Sequence, residues 1–231
     1  MAVGSGPHDS MSIANSLSIA KFVLIAKSAF VAAVLAMAAV ITAPSVKAQS
    51  GDPLSTDSIL RDPAIKVLGN PKGDVTIVAY FDYNCPYCRS IDPLLHKIAR
   101  DDGRIRLVFK DWPILGRASV HAARLALAAR YQGKYAEAHA ALISARGRLT
   151  EDRVAAALAQ AGIDVGRAQR DLATRGKEID ALLARNAEQA SALGFRGTPA
   201  FIVGKFRVPG SIDEENFRKA IAETRAAAKQ K

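Results

Sequence analysis

The spacing of apolar residues changes repeatedly along the chain, and each change marks an element. An uncharged apolar run from Ala29 to Ala43 comes first. It is followed at residues 49–73 by a stretch rich in Asp, Pro, Gly and Ser, whose apolar patch lies around Ile65 to Leu68. That composition predicts an arm leading into a domain. Val75 to Phe81 is β-branched and aromatic and is bounded by Gly73-Asp74 and Asn84, which predicts a buried strand. Ile91, Leu94, Leu95 and Ile98 then recur at the i, i+3, i+4 and i+7 positions of one helix face, and Asp101-Asp102-Gly103 should stop that helix. Ile105 to Phe109 predicts a second strand. Strand, helix and strand at this spacing make a βαβ unit with parallel strands and a right-handed crossover.

From Ser119 to Leu193 the pattern becomes Ala-rich and helical, with breaks at Gln132-Gly133, Gly147 and Gly162. Thr150 and Asp164 suit helix N-caps, Gly162 and Gly194 suit C-terminal stops, and four or five helices fit the interval. The β pattern returns in Pro199 to Val203, a Gly204-Lys205 turn and Phe206 to Val208, which predicts an antiparallel hairpin. An amphipathic helix from about Asp213 through Phe217, Ile221 and Ala222 follows. The expected fold is α/β, a β-α-β half (74–118) and a β-β-α half (194–231) separated by an inserted helical subdomain at 119–193.

The apolar run at 29–43 has its own meaning. Lys21 and Lys27 precede it, Pro44 ends it, and Val46-Lys47-Ala48 offers small residues at signal-peptidase spacing. Residues 1–48 therefore predict a signal peptide cleaved after Ala48, with an uncleaved membrane anchor as the alternative, and Met11 suits a start as well as Met1 does. No cysteine lies near that cleavage site, so a lipoprotein is not expected. Export places Gln49 to Lys231 in the periplasm, where disulfide chemistry has meaning.

Charge then asks whether the chain binds nucleic acid. The 231 residues carry a formal charge of +10, but the leader holds Lys21, Lys27 and Lys47 against Asp9. That leaves 29 Lys and Arg against 21 Asp and Glu, or +8, in residues 49–231. No run of four basic residues occurs, and neither zinc-finger spacing nor the aromatic-basic signature of an RNA-binding sheet is present. A solvated basic surface is expected, with no nucleic-acid partner.

The chain has 2 cysteines, Cys85 and Cys88, and a loop that short staples nothing. Their placement carries the chemistry. In Phe81-Asp82-Tyr83-Asn84-Cys85-Pro86-Tyr87-Cys88-Arg89 a strand ends and a helix begins, and Pro86 suits the first helical position. Cys85 is then the N-cap and Cys88 the third helical residue. A sulfur at the N-cap accepts hydrogen bonds from unpaired backbone N–H groups at the positive end of the helix dipole, which favours thiolate over thiol. Cys85 is thus the expected nucleophile, and Cys88, turned into the helix, the resolving thiol.

With C-P-Y-C at a strand–helix junction, a helical insertion, and Gly197-Thr198-Pro199 opening a later strand, residues 65–226 resemble the thioredoxin superfamily, specifically its exported DsbA-like thiol:disulfide oxidoreductases. The resemblance implies a cis-proline at Pro199 lying against the cysteines and a backbone at Thr198 offered to substrate, with Pro86 and Tyr87 also at the substrate surface. It implies thiol-bearing unfolded or partly folded exported proteins as partners, reoxidation by a membrane partner, no cofactor and a monomer. A buried acid common in the family six residues before the first cysteine is here Ala79, which leaves Asp82 or a water to replace it. Pro-Tyr between the cysteines, in place of Pro-His, implies a couple less oxidising than DsbA itself, about −150 to −220 mV. The expectation leans to dithiol oxidase, with isomerase or reductase as alternatives.

A metal reading of C-x-x-C needs further ligands. His96, His121 and His139 follow the leader, and His96 lies eight residues past Cys88, too far to join both sulfurs. No metal site is expected, and the histidines read as surface or packing residues; a copper-handling thiol protein is the alternative, since a reduced pair takes a thiophilic ion easily. Lys110 reads either as approaching the buried cysteine or as a solvated strand end. Tyr80, Tyr83, Trp112 and Phe195 read either as an apolar groove beside the thiol or as core.

Overall fold

In the computed structural model, which describes Met1 and residues 52–230, Val75–Phe81 forms a central strand β2 whose seven residues are all buried. The predicted leader lies outside the described residues. Strand β3 (Ile105–Asp111) runs parallel to β2, from Val75 opposite Ile105 to Phe81 opposite Asp111, as the βαβ pattern requires. The hairpin strands β4 (Ala200–Val203) and β5 (Phe206–Pro209) continue the sheet antiparallel beyond β2.

Residues 52–73 carry two short elements. Ser55 caps a short helix α1 (Thr56–Leu60), and Val67–Gly69 forms β1, antiparallel to β3. The sheet order among the described residues is therefore β1-β3-β2-β4-β5. Arg106 holds this segment down: its guanidinium donates to the carbonyls of Leu60 and Pro71 and to Thr76 Oγ1.

Helix α2 (Pro86–Asp102) covers one face of the sheet through Cys88, Ile91, Leu95 and Ile98, and ends at Gly103, whose φ of 70° is the left-handed cap that glycine adopts without strain. The same face receives α7 (Glu214–Lys229), where Phe217 is fully buried with its ring 5.2 Å from that of Phe201. Burying one such side chain contributes about 2 kcal/mol. Helices α3 (Arg117–Ala129), α4 (Tyr135–Ile143), α5 (Glu151–Gln160) and α6 (Val165–Ala192) make up the inserted subdomain, with Thr150 and Asp164 as N-caps. A 3-10 turn at Arg130–Gln132 links α3 to α4. Among the described residues no helix is long and apolar enough to cross a membrane.

Alternation along β2 and β3 decides which residues meet the cysteines. Ala79, Phe81 and Phe109 face α2, whereas Tyr80 and Lys110 point to the opposite face, towards α1 and α6. Lys110 is consequently neither solvated nor beside a cysteine. It is fully buried, its ammonium 2.7 Å from Gln189 Oε1 and 3.2 Å from the Ser58 carbonyl. Tyr80, Tyr83, Trp112 and Phe195 are all buried, so they are core and not a groove.

Candidate active site

The turn from β2 into α2 is built by Asp82, Asn84 and Arg89. Asp82 is buried, its carboxylate accepting from the backbone N–H groups of Asn84 (2.7 Å), Ile114 (2.8 Å) and Leu115 (2.8 Å). Those three donors occupy it as a loop clamp, so it does not replace the acid absent at Ala79. Asn84 reaches into the helical insertion, where it accepts from Leu149 N–H at 2.7 Å and donates towards Ser119 Oγ and the Leu149 carbonyl. Arg89 donates to the carbonyls of Tyr83 and Gly147. Sequence reasoning missed Asn84 and Arg89 because their partners in the insertion lie 58 and 65 residues away.

Within that frame Cys85 is the N-cap of α2, with Pro86 at its first position and the Cys88 N–H donating to Cys85 Sγ at 3.4 Å. The Cys85 thiol also lies 3.2 Å from the Thr198 carbonyl oxygen. Hydrogen bonding from Cys88 lowers Cys85 to about 6, against a smaller opposing effect of burial, with Thr198 and the N–H groups of Cys88 and Tyr87 adding to the lowering. The helix N-terminus acts in the same direction. Cys88 behaves oppositely: burial, and then the neighbouring Cys85, push it far above the ordinary thiol range. Two thiols one helical turn apart thus differ in readiness to ionise, and the free, reduced pair holds its negative charge on the outer sulfur.

The six residues singled out from the sequence come together. The Thr198–Pro199 peptide is cis, Thr198 is half-buried beside Cys85, and Pro199 is buried and lines a small cavity with Cys88, Ala79 and Phe109. Pro86 is exposed, and the Tyr87 ring is 66% exposed at the same end of the sheet. Exposed Ile114 and Leu115 sit on the loop that Asp82 clamps, adding apolar surface to that end. Beyond Cys88 on the same helix, the Asp92 carboxylate lies 3.0 Å from His139 Nε2, and His139 Nδ1 lies 3.3 Å from the Tyr83 hydroxyl. His139 is therefore a buried, partnered packing residue, in keeping with the packing reading of the histidines.

Known proteins share this fold. The sequence profile described as thioredoxin matches residues 62–223. A thioredoxin-like oxidoreductase from Silicibacter pomeroyi superposes with a TM-score of 0.72 at 42% identity, over 74% of this chain and 98% of that one. The thiol-disulfide exchange protein alpha-DsbA2 from Wolbachia pipientis gives 0.67 at 30% identity, over 72% and 90%. A periplasmic thioredoxin-like protein from Salmonella enterica serovar Typhimurium gives 0.64 at 28%, over 74% and 95%. Among curated sequences, a Na(+)/H(+) antiporter NhaA 1 of Salinispora arenicola is 30% identical over 67% of this chain, and the chain spans about a quarter of the length of the curated relatives it matches, 24% of that one. The profile covers the whole βαβ unit, the insertion and the hairpin that carry the two cysteines and the cis-proline, and the structures share that frame along nearly their full lengths. On those grounds the chain belongs to the thioredoxin family, among its DsbA-like thiol:disulfide oxidoreductases.

Proposed function

We propose that the chain oxidises dithiols of unfolded or partly folded proteins in the periplasm through Cys85 and Cys88, acting as a monomer. The observation that carries this reading is the split between the cysteines, with Cys85 held near 6 at the helix N-terminus and Cys88 pushed up by burial. A low-pKa thiolate is a good leaving group, and stabilising it stabilises the reduced pair, which makes the disulfide the more oxidising.

The reaction begins from the Cys85–Cys88 disulfide. A substrate thiolate attacks Cys85 Sγ, the Cys85–Cys88 bond breaks, and Cys88 leaves with the electron pair and takes up a proton. A second substrate thiolate then attacks the substrate sulfur of the mixed disulfide and expels Cys85 as thiolate. Two electrons pass to the pair and the substrate gains one disulfide. Thr198, Pro199, Pro86 and Tyr87 surround Cys85, where they would meet the incoming chain, and a backbone offered at Thr198 suits an extended peptide. A membrane partner would return the pair to the disulfide. The predicted leader supports the periplasmic assignment.

Pro86-Tyr87 supports a second reading as isomerase or reductase. Three measurements decide. In a Cys88→Ser variant the Cys85 thiolate should attack a disulfide of an oxidised client, expel one client thiolate and stay trapped as a mixed disulfide for want of a resolving thiol, while Cys85→Ser traps none, and the wild-type pair should equilibrate with glutathione at about −150 to −220 mV. A potential near −270 mV, or faster reactivation of scrambled ribonuclease than oxidation of its reduced form, would overturn the oxidase reading.

A further inference from the structure

Asp92 and His96 stand one turn apart on α2, and His139 on α4 meets them from across the cleft between the helices. Asp92 Oδ1 lies 3.0 Å from His139 Nε2 and 3.7 Å from His96 Nε2, and one donor atom from each of the three lies within 4.8 Å of the other two. A tetrahedral zinc ion with bonds of about 2.1 Å separates its ligand atoms by about 3.4 Å. The two separations from the Asp92 carboxylate to the imidazoles bracket that value.

We propose that Asp92, His96 and His139 form a binding site for a borderline divalent metal ion, zinc in preference, distinct from the cysteine pair. Two imidazoles and one carboxylate suit zinc, whereas copper(I) favours sulfur and calcium or magnesium favours an all-oxygen shell. The set supplies three ligands and leaves a fourth position for water.

The surroundings prepare the site. His139 is held between aromatic rings, its ring centroid 4.3 Å from that of Phe109 and 4.9 Å from that of Phe81, so little side-chain freedom remains to be lost on binding. Its Nδ1 faces the Tyr83 hydroxyl, and a proton on Nδ1 donated to that oxygen presents the Nε2 lone pair to the ion, the outer-shell arrangement that orients ligating histidines. Side-chain exposure rises from 1% at His139 through 13% at Asp92 to 33% at His96, so the ion enters from the His96 side. A bound ion would join the helix that begins at Cys85 to α4 of the insertion.

The test uses residues 49–231 with the cysteines joined as a disulfide, so that no thiolate competes. Zinc is titrated calorimetrically and cobalt(II) by its visible ligand-field absorption. One equivalent should bind, with tetrahedral cobalt bands, and His96→Ala should weaken zinc binding by at least about tenfold while His121→Ala leaves it unchanged. His96 is partly exposed, so its removal keeps the fold, which far-ultraviolet circular dichroism checks. Asp92→Asn provides a second variant with the same expected loss. Absence of saturable binding, equal affinity in His96→Ala and wild type, or binding that appears only when the cysteines are reduced would overturn the site.

Discussion

The ammonium of Lys110 lies 2.7 Å from Gln189 Oε1, on the face of the sheet turned away from the cysteines. Gln189 in turn accepts from the Tyr80 hydroxyl at 3.3 Å and donates to the carbonyls of Pro53 and Ser58, so one buried amide ties β2, β3 and α6 to the segment before β1.

This arrangement makes the two partners unequal under mutation. In Lys110→Met, Gln189 keeps Tyr80, Ser58 keeps Gln189, and Asp62 keeps Arg185. Stability should change by less than about 1 kcal/mol, since Asp62, 4.0 Å from the ammonium, still pairs with Arg185 and the substitution leaves no buried charge unpaired. Gln189→Ala leaves the ammonium with the Ser58 carbonyl alone at hydrogen-bond distance and should cost about 2–3 kcal/mol. Burial lowers Lys110 from 10.5 to about 8, so between those values the unfolded chain binds more protons than the folded one. Wild-type stability should therefore rise with pH across that window, and Lys110→Met should abolish the rise in urea unfolding series.

The thiolate of Cys85 gives a direct optical test. The reduced protein should show a thiolate absorbance step centred near 6 that Cys85→Ser removes, with no second step below the range where ordinary thiols titrate. The folded value lies below the ordinary thiol value of 9.0, so this group adds stability to the reduced form at high pH and loses it as pH falls through about 6. A midpoint above 8 would contradict the geometry of the N-cap.

Asp82 should prove costly to remove without touching a sulfur. Asp82→Ala removes the acceptor of three part-buried backbone N–H groups, at Asn84, Ile114 and Leu115, and should destabilise by about 2 kcal/mol in chemical denaturation. Asp82→Asn retains one acceptor oxygen and should fall between that variant and wild type.

Asp111 presents the opposite sign. Burial raises its carboxyl from 3.8 to about 6, and Oδ1 has no partner, although Tyr135 donates to Oδ2 at 2.9 Å. Between those two pH values the folded state binds more protons, so stability contributed by the neutral acid is full below about 4 and lost as pH rises through about 6. Asp111→Asn should accordingly stabilise the protein at pH 8 by about 2 kcal/mol and leave it nearly unchanged at pH 4, read from thermal midpoints at the two values.

How much of this could be read from the sequence follows from the range of the interactions. The βαβ unit, the hairpin and the N-cap cysteine were legible because they rest on local signals, Pro86 at a helix start, Gly103 at its end, and apolar spacing in between. Strand β1 was not, because three residues ending in Gly69 are too few for a period to show, and its partner is 41 residues away, Val67 opposite Val108. Lys110 misled for a related reason. A lone cation in a strand reads as an edge, and only α1 and α6, brought from both sides in sequence, show what surrounds it. The meeting of Asp92 with His139 likewise spans 47 residues, beyond any spacing rule.

The hairpin has a consequence for how such a protein survives its own proposed partners. Strand β5 ends the sheet with one open edge, where an unfolded chain recruited to Cys85 could pair and never leave. That edge is four residues long, with Arg207 and Pro209 exposed and Phe206 and Val208 turned inward. Proline offers no N–H to a newcomer, arginine keeps the edge hydrated, and so short a ladder nucleates no further strand. At the other end of the sheet β1 is shorter still. If unfolded chains are its clients, as proposed, such an edge keeps the protein from becoming the template on which they aggregate.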